Sequence, residues 1–153
     1  TYHIPHEFLE VEIENFKAIF KDGLNGKLHP CGRCRKLIEK IVVDYAKKVG
    51  VPLILFGDLL PTGKFSIYKI GEDLIRFNVA AALSLTKTDT ILMAKSIGHP
   101  GTKFFHGCPL LKIVHKRHES FKYVSASRVL REVRAQILEP AQALKYIKSI
   151  FSR

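Results

Sequence analysis

Residues 33–58 read RCRKLIEKIVVDYAKKVGVPLILFGD. Two patterns follow one another in this stretch. Leu37, Ile38, Ile41, Val42, Tyr45 and Val49 recur at helical spacing and predict a helix over residues 33–49 with an apolar stripe. Gly50 stands where a C-terminal glycine cap belongs. Pro52 then opens Leu53-Ile54-Leu55-Phe56, a short apolar run followed by turn residues, which is how a buried parallel strand reads. Helix, short connection and buried strand form the unit of an open α/β sheet. Ligands of such sheets bind beyond the carboxyl ends of strands, so the loop from Gly57 through Asp58 to Gly63 is a candidate site.

Outward from this unit the pattern continues. Residues 8–20 begin with strand-like alternation and turn helical, and Asp22 to Gly26 reads as a loop from its turn residues. Short strands are predicted over residues 65–70 and 74–79, around Gly71-Glu72-Asp73. A helix is predicted from Thr88, as N-cap, to Ile97, with Gly98 after its end. His99 to Gly107 reads as a loop. The tail is helical over Ser127 to Leu138 and again from Pro140 to Phe151, with Pro140 at an N1-like position. A break between about Val114 and Ser125 divides an α/β part, residues 1–114, from a basic helical tail, residues 115–153, packed on it.

The chain of 153 residues is long enough for one domain with a real core. No apolar run approaches the roughly 18–20 residues of a membrane span, and no signal peptide is visible, so the expected location is the cytoplasm, with no membrane partner. The net charge of +11 points to a polyanionic partner, RNA or DNA, between which the charge does not distinguish. The basic residues concentrate in the tail. Lys112, Lys116 and Arg117 form one cluster, and Arg128, Arg131 and Arg134 follow at a spacing that keeps them near one helix face.

Three cysteines are an odd number, which argues against a disulfide framework and for ligand or catalytic roles. Cys31 and Cys34 lie in His29-Pro30-Cys31-Gly32-Arg33-Cys34, with the second thiol at a predicted helix start, where dipole and cationic neighbours favour a thiolate. Gly32 is expected to let the backbone turn between them. Cys108 lies in His106-Gly107-Cys108-Pro109, far along the chain. A C-x-x-C pair alone fits a redox dithiol, half a zinc site or part of an iron–sulfur site. Zinc would take three cysteines with His106 or His29 as a fourth ligand. A [4Fe–4S] cluster on three cysteines would leave one iron open.

The order of these features resembles the PP-loop, adenine-nucleotide α-hydrolase superfamily, and most of all its tRNA 2-thiocytidine and 2-thiouridine synthetases. The features are a C-x-x-C opening a helix, a buried strand ending in Gly57-Asp58, an Arg76-bearing strand, the helix Thr86-Lys87-Thr88-Asp89-Thr90-Ile91, and a further cysteine. The resemblance covers about residues 30–108. It implies an open, mostly parallel, Rossmann-like sheet and a [4Fe–4S] cluster on Cys31, Cys34 and Cys108. It also implies a homodimer and ATP-dependent sulfur transfer to tRNA, with Asp58 binding Mg²⁺ or orienting substrate and with Lys87 and Arg76 neutralising phosphate charge. Two departures stand out. The family's post-strand loop carries a His that Phe56-Gly57-Asp58 lacks, and its phosphate-cradling Ser-Gly-Gly-x-Asp-Ser loop does not occur in this sequence. ATP chemistry would therefore need a nucleotide-binding segment ahead of residue 1 or on a partner chain. The alternative expectation is a zinc-stabilised, basic RNA-binding module without ATP chemistry.

Overall fold

The computed structural model describes residues 5–59, 66–99 and 108–152. The order of elements is α1 (Ile13–Leu24), α2 (Pro30–Lys48), β1 (Leu53–Phe56), β2 (Ile67–Ile70), β3 (Leu74–Asn78), α3 (Val79–Ala82), α4 (Lys87–Ser96), α5 (Pro109–Arg117), α6 (Ser120–Arg134) and α7 (Pro140–Phe151). The protein is thus mostly helical α/β, with a small open sheet.

The sheet runs β1-β3-β2. β1 lies parallel to β3, with Ile54 beside Arg76 and Phe56 beside Asn78. β2 lies antiparallel to β3. One of the two pairings is therefore parallel, and the sheet is mixed rather than mostly parallel. The connection explains this: only Gly71-Glu72-Asp73 separates β2 from β3, and so short a link can close only an antiparallel hairpin. Gly71, at φ +71°, takes the left-handed conformation that the tight turn demands.

α2 covers one face of this sheet. Ala46 and the half-buried Val43 pack on Ile54, Leu74, Phe56 and Ile70. The helix begins earlier than its apolar stripe suggests, because His29 is an extended N-cap and Pro30 supplies a ready-made first turn. It ends as expected, at Gly50 with φ +70°. α1 also overruns its expected limit. Asp22, Gly23 and Leu24 are helical, since Gly23 is buried against Pro30 and Val114 and tertiary packing overrides its turn preference. No strand forms over residues 8–12.

The C-terminal half is more helical than its turn residues suggest. α5 occupies Pro109–Arg117, across the expected boundary at residue 114, and buries Leu110, Leu111, Val114 and His115. α6 starts at Ser120 and stops at Arg134, where Gln136 adopts φ +57° and turns the chain towards α7. Val129 of α6 joins Leu138 and, from α7, Ala143 and Ile150 in a second core cluster. At α4 the cap is Thr86 rather than Thr88. Thr86 accepts from the Asp89 backbone N–H at 3.1 Å, while Asp89 accepts from the Thr86 N–H at 2.8 Å, a closed capping box. The backbone hydrogen bond of Asp89, followed by the side-chain one, holds its carboxyl below the usual range.

No helix among the described residues is long and apolar enough to cross a membrane. Leu138 is 2% exposed at the α6–α7 junction. Leu138→Ala is expected to cost about 2–4 kcal/mol of stability, read as a lower urea midpoint at unchanged slope. A change under about 0.5 kcal/mol, the size usual for a surface site, would refute the assignment of this junction as core.

Candidate three-thiol site

Two helix starts meet beyond the carboxyl ends of β1 and β3. In α2, Cys31 and Cys34 follow Pro30 by one and four positions, so their three-residue spacing puts both thiols on one helix face. Gly32 is an ordinary helical residue here, so no turn separates the pair. Cys108 is the N-cap of α5, with Pro109 as its first helical residue. All three thiols are free and line one pocket of about 370 Å³. Its other walls are apolar, from Phe16, Ile38, Phe56 and Leu110, and charged, from Arg35, Glu39 and Asp58.

Cys31 and Cys34 are half-buried and Cys108 is exposed. Burial pushes the Cys31 thiol up, and the nearby Cys108 and Cys34 oppose its ionisation further, while Arg128 beside it pulls the other way through charge and a hydrogen bond. Among the described residues, no group of three His, Cys, Asp or Glu is drawn together tightly enough to hold a metal ion. His106 lies outside the described residues, as do Phe104, Phe105 and the rest of residues 100–107, and residues 60–63 of the Gly57–Gly63 loop.

The pocket floor is an ion cluster around Arg76, which is fully buried. Its guanidinium donates to Glu39 of α2, to Asp58 after β1 at 2.9 Å, and to Asn78 of its own strand at 3.2 Å, and lies 3.9 Å from the centre of the Phe56 ring. Arg35 grips Asp58 through both terminal nitrogens. Asp58 therefore accepts from two guanidiniums at once. Its contacts join β1, β3 and α2. The Asn78 side-chain N–H₂ is buried and has no partner among the described residues. Arg35 was expected only as one of the cationic neighbours of the thiols, and Glu39 escaped the sequence reading because a charged residue on a predicted helix ordinarily signals a solvated face.

Lys87 stands elsewhere. Its ammonium pairs with Glu132 of α6 at 2.7 Å and sits 5.3 Å from the centre of the Tyr146 ring. It does not line the pocket. Glu132 is the one carboxylate within α6, so this pair neutralises it. Arg128, Arg131 and Arg134 line a groove of about 630 Å³ with Val124, Ser127 and Ala135. Among the described residues none of these three guanidiniums forms an ion pair. Arg128 is where groove and pocket meet, since it also contacts Cys31. Lys112 is half-buried, whereas Lys116 and Arg117 are exposed in the last turn of α5.

Histidines hold the site from behind. His29 at 3.0 Å and His115 at 2.9 Å both contact the buried Ser125 hydroxyl of α6. This contact engages His29 Nε2, one of the two nitrogens that could serve as a fourth ligand. His118 Nε2 donates to the Leu24 carbonyl at 2.8 Å, closing the C-terminus of α1. Of the residues expected at the site, the structure brings together Cys31, Cys34, Cys108, Asp58, Arg76 and Arg128. Lys87 lies apart, and Arg131 and Arg134 extend along the adjoining groove.

These features define a mostly helical α/β protein with a three-thiol pocket set beside an arginine groove. The chain is similar to the uncharacterized protein MJ1638 of Methanocaldococcus jannaschii, at 39% identity over 150 residues, covering 98% of this chain and 55% of that protein. It thus spans about half the length of that relative. No family model matches the chain, and no solved structure does.

Arg76→Ala is expected to cost about 3–5 kcal/mol, because it removes the fully buried member of the cluster and with it the links to the part-buried Glu39 and Asp58. Arg35→Ala, at a half-exposed position, should cost no more than about 1 kcal/mol. Urea unfolding of both variants measures the difference, and equal costs would mean that Arg76 does not organise the pocket.

Proposed function

We propose that this chain is the thiol-bearing part of an ATP-dependent tRNA sulfur-transfer enzyme of the PP-loop type. The observation that carries this reading is the meeting of Cys31, Cys34 and Cys108, from two separate helix starts, in one pocket beyond the carboxyl ends of parallel strands. The donor set suits a group that takes three thiolates. All three sulfurs are free and share one pocket. Cys31, Cys34 and Cys108 would hold a [4Fe–4S] cluster, which when bound supplies iron able to carry sulfur.

The chain's own residues have definable tasks in this reading. The N-termini of α2 and α5 and the guanidinium of Arg128 present positive potential to the thiols, favouring their anionic form once a cation draws off the protons. Phe16, Ile38, Phe56 and Leu110 exclude water from one side. Arg76 and Asp58 are positioning residues that fix the strand ends against α2. Arg128, Arg131 and Arg134 hold the phosphates of an RNA, and Lys87 assists by masking Glu132. Lys112, Lys116 and Arg117 extend that contact. Adenylation of the base would be performed by a nucleotide-binding segment outside this chain, which would supply the phosphate loop for ATP and Mg²⁺. A cytoplasmic location and a homodimer belong to the same reading.

The test is the metal content and visible spectrum of anaerobically purified protein, beside a Cys108→Ser variant. About four irons per chain, the stoichiometry of a [4Fe–4S] cluster, with colour lost in the variant, is the expected result. One zinc per chain and no colour would replace sulfur transfer by the alternative of a zinc-stabilised RNA-binding module. No metal in either sample would overturn both.

A further inference from the structure

The sheet has one face that nothing among the described residues covers. The registers place Leu53 and Leu55 of β1, Ile75 and Phe77 of β3, and Ile67 and Lys69 of β2 on that side. Leu55 is 61% exposed, Ile67 56%, Leu53 44% and Ile75 38%. The opposite face, with Ile54, Leu74 and Arg76, is buried under α2. Among the described residues β1 is also an edge strand, since it pairs there with β3 alone. An apolar edge strand in parallel pairing, beside a bare apolar face, departs from two regularities: parallel strands are buried on both faces, and exposed edges carry charge or proline. Only Lys69 breaks the apolar surface, and it lies on β2, away from the β1 edge. A continuous patch of this kind marks an interaction surface.

Symmetry and layer packing decide the occupant. A second copy joined edge to edge through β1 would extend the sheet and leave both bare faces in water. A second copy packed face to face would bury the faces and leave both edges open. One occupant satisfies both needs: an α/β polypeptide that adds a strand parallel to β1 and returns through a helix laid across Leu53, Leu55, Ile67 and Ile75. The right-handed crossover between parallel strands provides such a helix. The M. jannaschii relative has material for it, because the match accounts for only 55% of its length.

We propose that the open face and the β1 edge are the docking surface for an α/β segment, joined as a continuous parallel sheet, and that the unmatched part of that relative contains such a segment. This holds whether or not the thiols carry sulfur, so its failure and the failure of the sulfur-transfer reading are separable.

Hydrogen exchange on this chain and on the full-length M. jannaschii protein tests it. The amides of Ile54 to Phe56 are expected to exchange about 100-fold faster in this chain than the aligned amides of the longer protein, as local protection energies report. Leu55→Lys should leave the melting temperature of this chain unchanged and lower that of the longer protein when made at the aligned position. Equal exchange in both proteins would overturn the proposal. So would a stable dimer of this chain, seen by light scattering, whose β1 amides are already protected and become exposed in the Leu55→Lys variant.

Discussion

The buried guanidinium of Arg76 is the constraint on which the site depends. A fully buried cation is costly unless its donors are satisfied, and Glu39, Asp58 and Asn78 satisfy them from three elements while Phe56 stacks on its face. The geometry is unforgiving, because a guanidinium is planar and its donors are fixed in direction. Satisfying it sets the distance of α2 from the sheet and the course of the chain as it leaves β1. Both determine where Cys31 and Cys34 sit.

A second clamp works at the other end of the pocket. α6 presents Phe121, Ser125 and Arg128 to the start of α2. Ser125 holds His29 and His115 together, Phe121 packs edge-on to the His29 ring, and Arg128 reaches Cys31. The basic tail is therefore no appendage. It brings α5 and Cys108 to the thiol pair, and it continues from that contact into the arginine groove. The pairing of Lys87 with Glu132 keeps the groove from being neutralised within the protein. The phosphate-neutralising role that the family resemblance implies for Lys87 is thus an indirect one in this geometry.

The two clamps divide the molecule's charge in a useful way. The buried network is close to balanced, two guanidiniums against two carboxylates, and holds the fold. More than half of the surplus lies on α5 and α6, at the surface, where it costs little and attracts anions. The thiol pocket lies at the boundary between the two. An anion held in the groove is brought towards the sulfurs.

The sequence by itself determined the local elements. The stripe from Leu37 to Val49, the glycines at 50 and 71 and the proline at 140 each act within a few residues of themselves, so α2, the β2–β3 turn and the start of α7 were legible, and β1 was legible from its unbroken apolar run. The grouping of the three cysteines was expected from their chemistry, with only Cys34 expected at a helix start; that Cys108 caps a helix of its own came from the structure. Tertiary structure decided the rest. Gly23 became helical because Pro30 and Val114 bury it, and α5 formed where the apolar run from Leu110 to Val114 could pack against α1 and α2. Glu39, Ser125 and His115 entered the site although each reads alone as a surface or core residue. Their roles are pairings between residues distant in the chain. A local pattern carries the preference of its own segment, whereas an ion cluster at a junction of helices exists only once those helices have met.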